Sequence, residues 1–305
     1  MRYLYCLVVF MVTADVYAGC KLQMLAGNYD AALQSVKEKV ASGRASASDV
    51  DCMGQAYFEL GKFSLAAEQF INEAAMVTSD SDLSAAYQGV GMSMLYTGDY
   101  EKGIEYLEKK LAIDKRVGDR NEIGVSLATI SAILGNMGRH QAAIDKSKEA
   151  LNYLKYNTDI SSTYNNIATE YAGMNDIDNA IKYMNQAIEI DRKLFGDKKD
   201  LAIHLINISD FYLSQKEDRK AIKNLNEGIE IIGKDGDLYW LMTGLSYRAK
   251  AYFYVGETIK SKADIDKTLK IAMDIKPREI DAIRALHASL NEAIGNSSKK
   301  NQQAQ

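Results

Sequence analysis

Hydrophobic and polar positions recur along most of this chain with helical spacing, and a short signal breaks the pattern seven times. Its clearest copies read Gly27-Asn28-Tyr29 followed by Ala32, Gly61-Lys62-Phe63 followed by Ala66, and Gly98-Asp99-Tyr100 followed by Gly103. Weaker copies begin at Gly138, Asn175, Lys216 and Gly256, so the signal returns every 34 to 41 residues. Seven residues before a turn stands a small residue: Gly54, Gly91, Ser131, Ala168, Ser209, Ala249. Five residues after it stands another: Ala32, Ala66, Gly103, Ala143, Ala180, Ala221, Ser261. Two antiparallel helices approach closely only where side chains are small, so the two columns predict the crossing point of a helical hairpin. Four residues before each turn a large side chain (Tyr57, Met94, Leu134, Tyr171, Tyr212, Tyr252) is expected to fill the space beside the crossing. A period of this length with helical patterning inside it predicts an all-α solenoid of stacked antiparallel helix pairs.

The same residues carry a family resemblance. Small residues at the eighth and twentieth positions, an aromatic at the eleventh and a Gly-x-Tyr turn resemble the tetratricopeptide repeat (TPR). Units ending in Ile113-Asp114-Lys115-Arg116-Val117-Gly118-Asp119 and Ile190-Asp191-Arg192-Lys193-Leu194-Phe195-Gly196-Asp197 resemble its longer, kinesin-light-chain-like variety. The resemblance covers residues 20 to about 275 and implies a right-handed superhelical solenoid. It departs in one respect: the proline that often closes a repeat is missing, and the sole Pro277 follows the last hairpin. Joints rich in Gly, Asp and Asn, such as Gly233-Lys234-Asp235-Gly236-Asp237, take its place.

The pattern divides the chain into residues 1–18, outside the array; 19–45, a truncated first repeat; 46–275, six hairpins; 276–294, a capping helix; and 295–305, a polar tail expected to be disordered. The capping helix starts with Pro277 in its first turn and carries Ile280, Ile283, Leu286, Leu290 and Ile294 on one face. Residues 1–18 read as a secretory leader: Arg2, an apolar run from Tyr3 to Val12, then Val16-Tyr17-Ala18 before the cleavage point. The expectation is a secreted, bacterial periplasmic protein. Tyr17-Ala18-Gly19-Cys20 also resembles a lipoprotein box, although Tyr17 stands where an aliphatic residue is usual, so a lipid-anchored protein is the alternative. Cys20 and Cys52 fall on neighbouring first helices, where a disulfide, two buried thiols or lipidation of Cys20 all remain open.

Little in the composition points to chemistry. Three histidines are present, and His204 and His287 lack partners at ligand spacing, while His140 occupies the turn column. No metalloprotease, P-loop, dinucleotide or nucleophile-elbow motif occurs. Catalytic residues, metal ligands and cofactors are therefore not expected. The Asp and Glu residues read as solvated helix surface. A net charge of −4 with no basic stripe argues against nucleic acid.

The resemblance places a partner-binding, concave groove on the first helix of each pair. Carried onto this chain, the groove positions include Gln55, Phe58, Glu59, Gln88, Met92, Tyr96, Asn165, Asn166, Asn207, Asp210, Tyr247, Lys250 and Tyr254. Asn166 and Asn207 share one register, at which the family's asparagine commonly bonds the backbone of an extended peptide; the alternative is an asparagine that satisfies a neighbouring helix. The column is mostly neutral, with Lys250 its main cation, which fits an internal peptide segment or a folded partner. The reading is a non-enzymatic scaffold that binds a protein or peptide. A sensory module driven by ligand-induced change, or a self-assembling envelope protein, are the alternatives.

Overall fold

A computed structural model describes residues 19–196, 198–277 and 279–303. The leader reading of residues 1–18 lies outside the described residues. Fifteen helices follow one another with no strand among the described residues. In chain order they are α1 (Cys20–Leu25), α2 (Tyr29–Ala41), α3 (Ala47–Glu59), α4 (Phe63–Met76), α5 (Asp80–Thr97), α6 (Tyr100–Val117), α7 (Arg120–Asn136) and α8 (His140–Leu151). Then come α9 (Asn157–Gly173), α10 (Ile177–Lys193), α11 (Lys199–Ser214), α12 (Asp218–Asp235), α13 (Leu238–Tyr254), α14 (Thr258–Ile275) and α15 (Ile280–Gln303). They fall into two compact units, one ending at Lys155 and the other beginning at Tyr156. Within each unit every helix packs on the next, and successive first helices also touch: α1 with α3, α3 with α5 and α5 with α7, then α9 with α11, α11 with α13 and α13 with α15.

The columns read from the sequence do physical work at the hairpins. All seven turn residues hold left-handed backbone: Gly27, Gly61, Gly98, Gly138 and Gly256, together with Asn175 at φ 61° and Lys216 at φ 59°. Glycine is at home there, and asparagine tolerates it. The small residues on either side of the turns are buried, and several touch across the crossing. Ser131 Oγ donates to the Ala143 carbonyl at 2.7 Å, and Ser261 Oγ donates to the Ala249 carbonyl at 2.8 Å. A Cβ added at Gly91 would lie 2.5 Å from Leu107 Cγ, so only glycine lets α5 and α6 come this close. The large residues pack beside the crossings, with Tyr57, Met94, Leu134, Tyr171, Tyr212 and Tyr252 all inside or against apolar clusters or shielded from solvent.

Between repeats the chain turns on side-chain caps. Ser46 and Asp49 form a reciprocal capping box on α3, and Ser79, Asp119 and Asp237 accept from backbone amides at the starts of α5, α7 and α13. Gly118 and Gly236 end α6 and α12 in left-handed conformation, which does the stopping without proline.

At the N-terminal end, Cys20 and Cys52 are joined in a disulfide with Cα atoms 6.1 Å apart. The bond ties the six-residue α1 to α3 inside a small core of Ala32, Val36, Met53 and Ala56. At the other end, α15 buries Ile283 and Leu290 against the last hairpin. Its backbone runs helically to Gln303, where the sequence reading ends the helix at 294. One glycine costs a helix only about 1 kcal/mol, and no proline follows Gly295 to stop it.

Candidate functional site

In unit 1 the first helices bring Gln55, Phe58 and Glu59 of α3 beside Gly89 and Met92 of α5. Together with Met24 of α1 and Phe70 of α4 they line an open, mainly apolar pocket of about 300 Å³. Phe70 reaches it from the second helix because two glycines make room: a Cβ at Gly54 or Gly89 would fall 2.8 or 2.6 Å from its ring. Gly54 belongs to the small column, whereas Gly89 lies two residues before it, so Phe70 was not recognisable as a pocket residue from the repeat register. Met24 enters from the helix that the disulfide anchors.

Beside the pocket stands an aromatic cluster. Phe63 stacks on Tyr96 at 4.5 Å between ring centroids, and Phe58 meets both rings edge-on at 5.2 and 5.6 Å. Tyr96 remains 56% exposed and so offers its other face outward. Gln55 accepts none of this packing: its amide donates to Asp51 Oδ1 at 2.7 Å. Gln88 is not with Gln55. Its Nε2 donates to Thr129 Oγ1 on α7 at 3.2 Å, and its side chain borders a separate cavity of about 580 Å³ that also touches Lys110 and Asp114.

In unit 2 the two asparagines of shared register differ in their surroundings. Asn207 Nδ2 donates to Asn165 Oδ1 at 3.1 Å, from α11 to α9, so these two amides partly satisfy each other. Asn166 is half-buried and makes no side-chain hydrogen bond among the described residues, which leaves both its donor and acceptor for another molecule. Further along, Lys250 Nζ lies 5.5 Å from the Tyr247 ring centroid. Burial raises the Asp210 carboxyl above its ordinary value, with Lys250 opposing the shift. The Tyr247 hydroxyl is pushed up to about 12, by burial first and then by Asp210 and Tyr239. Tyr247 thus stays a neutral phenol, able to donate and accept across the physiological range. Tyr254 is 64% exposed, edge-on to Phe253.

Not all charges are surface charges, contrary to the sequence reading. Lys110 is fully buried, with Nζ 2.8 Å from Asp114 Oδ2, 2.8 Å from Glu122 Oε2 and 3.1 Å from Ser126 Oγ. Ser84 Oγ donates to Asp114 Oδ1 at 2.7 Å, so the group ties α5, α6 and α7 together. Asp191, which lies in the last turn of its own second helix as Asp114 does, is likewise buried and pairs with His204 Nδ1 at 2.6 Å. His287 pairs with Asp266 at 2.8 Å. Burial is tolerable because each charge has a partner: Asp114 lies one turn beyond Lys110 on α6, whereas Glu122 and Ser126 reach Lys110, and His204 reaches Asp191, from neighbouring helices that spacing along one helix does not reveal. Among the described residues no group of three or more His, Cys, Asp and Glu side chains is placed to hold a metal ion, and no helix is long and apolar enough to cross a membrane.

The family model for the tetratricopeptide repeat matches residues 82–155 and 159–233. Similar folds occur in several solved structures. A Rap protein complexed with competence and sporulation factor superposes with a TM-score of 0.61 at 13% identity, over 82% of this chain and 76% of that one. Kinesin-light-chain TPR-like repeats from Podospora anserina give 0.53 at 14% identity, over 66% of this chain and 99% of that one. A signal-transduction ATPase with a tetratricopeptide-repeat sensor, from Pyrococcus horikoshii, gives 0.64 at 18% identity, over 89% of this chain and 43% of that one. The chain is a tetratricopeptide-repeat protein. Several of its units are of the longer, kinesin-light-chain-like kind.

Proposed function

We propose that this protein is an exported, non-enzymatic scaffold that holds a peptide or protein partner on the first-helix faces of its repeats. The observation that carries the reading is the unit 1 pocket, where residues from two successive first helices surround an apolar hollow next to an exposed aromatic ring. A hollow of this size fits a single large side chain of a partner, with the exposed Tyr96 packed beside it on Phe58. The unit 2 face supports the same use differently, through the unengaged amide of Asn166 and the neutral Tyr247 hydroxyl. The Rap structure is that of a complex, and the similar Pyrococcus horikoshii protein has a tetratricopeptide-repeat sensor, which agrees with a face built for recognition. For export, the leader pattern in residues 1–18 and the Cys20–Cys52 bond support one another, since such bonds persist in oxidising compartments.

Affinity capture from the producing cells tests the reading. Proteins retained by the wild type should be lost by Met92→Arg, which fills the pocket, and reduced by Asn166→Ala with Asn207→Ala. Circular dichroism should show unchanged helix content in both variants. Equal recovery by all three proteins would remove the first-helix faces as the binding surface.

A further inference from the structure

The pocket in unit 1 has an acidic neighbour that the groove reading does not use. Glu73 on α4 is 6% exposed, and its Oε2 has no hydrogen-bond partner among the described residues. One turn earlier on the same helix face, Gln69 is 7% exposed, and its Oε1 is also without a partner. Buried acceptors left this way are uncommon, because each forfeits the hydrogen bonds that water would have given it. Nor is Glu73 surrounded by compensating charge. Asp51 of α3 and Asp82 of α5 act on it with the same sign, and among the described residues Lys21 of α1 acts against them. Together with burial, which is the larger cause, they push its carboxyl up to about 7.

This acidic group is joined to the pocket through named side chains. Asp51 accepts from Gln55, which lines the pocket, and Phe70, which also lines it, lies one turn before Glu73 on α4. The apolar hollow and the two acceptors short of donors are therefore carried by the same helices, with Gln69, Phe70 and Glu73 within one turn of each other on α4. A cation with several N–H donors placed there would satisfy the Glu73 and Gln69 oxygens and hold the carboxylate in its charged form.

We infer that unit 1 recognises a polypeptide segment in which a large apolar side chain enters the pocket while an adjacent lysine or arginine lies against Glu73, Asp51 and Asp82. The inference rests on the groove reading above and specifies the partner's chemistry at this end of the chain. Charge complementarity selects this occupant over an acidic or purely apolar segment. The site is strained until filled: the same carboxylate that weakens the empty protein strengthens the complex.

Panning a phage-displayed library of random dodecapeptides on the full, disulfide-bonded protein tests it. The expected result is enrichment of sequences with Lys or Arg within two positions of Phe, Leu, Ile or Met. A synthetic peptide of the enriched sequence should bind Glu73→Gln at least tenfold more weakly. Its affinity for the wild type should fall as the pH is lowered from 8 to 6, where Glu73 takes up a proton, and that dependence should be absent from Glu73→Gln. Enriched peptides that lack basic residues, or that bind Glu73→Gln equally well, would overturn the inference and leave the groove reading standing. Failure to enrich any peptide displaced by Met92→Arg would count against both. Glu73→Gln keeps the shape of the side chain and removes only a buried charge, so loss of folding does not cloud the outcome.

Discussion

Glu73 shows how one residue can be read at two levels. Its carboxyl has an ordinary value of 4.5 and a folded-state value of about 7. Below about pH 4.5 the group is protonated in folded and unfolded chains alike and costs nothing. As the pH rises the unfolded chain releases the proton first, so the folded state is penalised progressively until about pH 7 and uniformly above it. The penalty is on the order of 3 to 4 kcal/mol, from roughly 1.4 kcal/mol per unit over that interval. Urea unfolding should therefore show Glu73→Gln to be more stable than the wild type at pH 8, by up to that amount, with the difference vanishing by pH 4. A variant of lower stability at pH 8 would mean that the carboxylate has a partner in the free protein. Nothing in the sequence marks Glu73, because a glutamate on a second helix reads as solvated surface until the helices on either side are placed. Lys216 teaches the opposite lesson: it is an unlikely residue for a left-handed turn, yet the repeat register alone put it at the position where the backbone has φ 59°.

At the scale of the helices, the hairpins were largely legible because their geometry depends on absence of side-chain bulk, which a sequence displays directly. The columns containing Gly91, Ser131 and Ala249 on one side and Gly103, Ala143 and Ser261 on the other do meet at the crossings. What the register did not reveal was anything that depends on a third helix. Asn207 bonds Asn165 on the preceding first helix, and the group of Ser84, Lys110, Asp114 and Ser126 joins three helices. The glycines give a clean test of the packing account, since one substitution should act with opposite sign at two places. Gly91→Ala sets a methyl group against Leu107 and should cost about 1–3 kcal/mol through overpacking. Gly233 lies within α12 with nothing near its missing Cβ, so Gly233→Ala should stabilise by about 0.5–1 kcal/mol through helix propensity. Thermal or urea unfolding reads both, and effects of the same sign would contradict the account.

Across the whole molecule, the two units offer different chemistry on related scaffolds. Unit 1 has an apolar pocket, stacked aromatic rings and buried acids around a disulfide-tied first hairpin. Unit 2 has amides, a neutral tyrosine and the lysine near it. The repeat family explains why such different faces arise from one fold: the small and bulky columns fix the helices, and the positions between them are free to vary. The central claim is that a partner rests on the first-helix faces. A photo-reactive amino acid placed in turn at positions 92, 166, 109 and 182 of the full chain, and irradiated in the producing cells, tests this most directly. Positions 92 and 166 lie on first helices, while Lys109 and Lys182 are exposed on second helices. The account predicts cross-links to another polypeptide from 92 and 166 and none from 109 or 182. Cross-links confined to 109 and 182, or equal at all four positions, would contradict it.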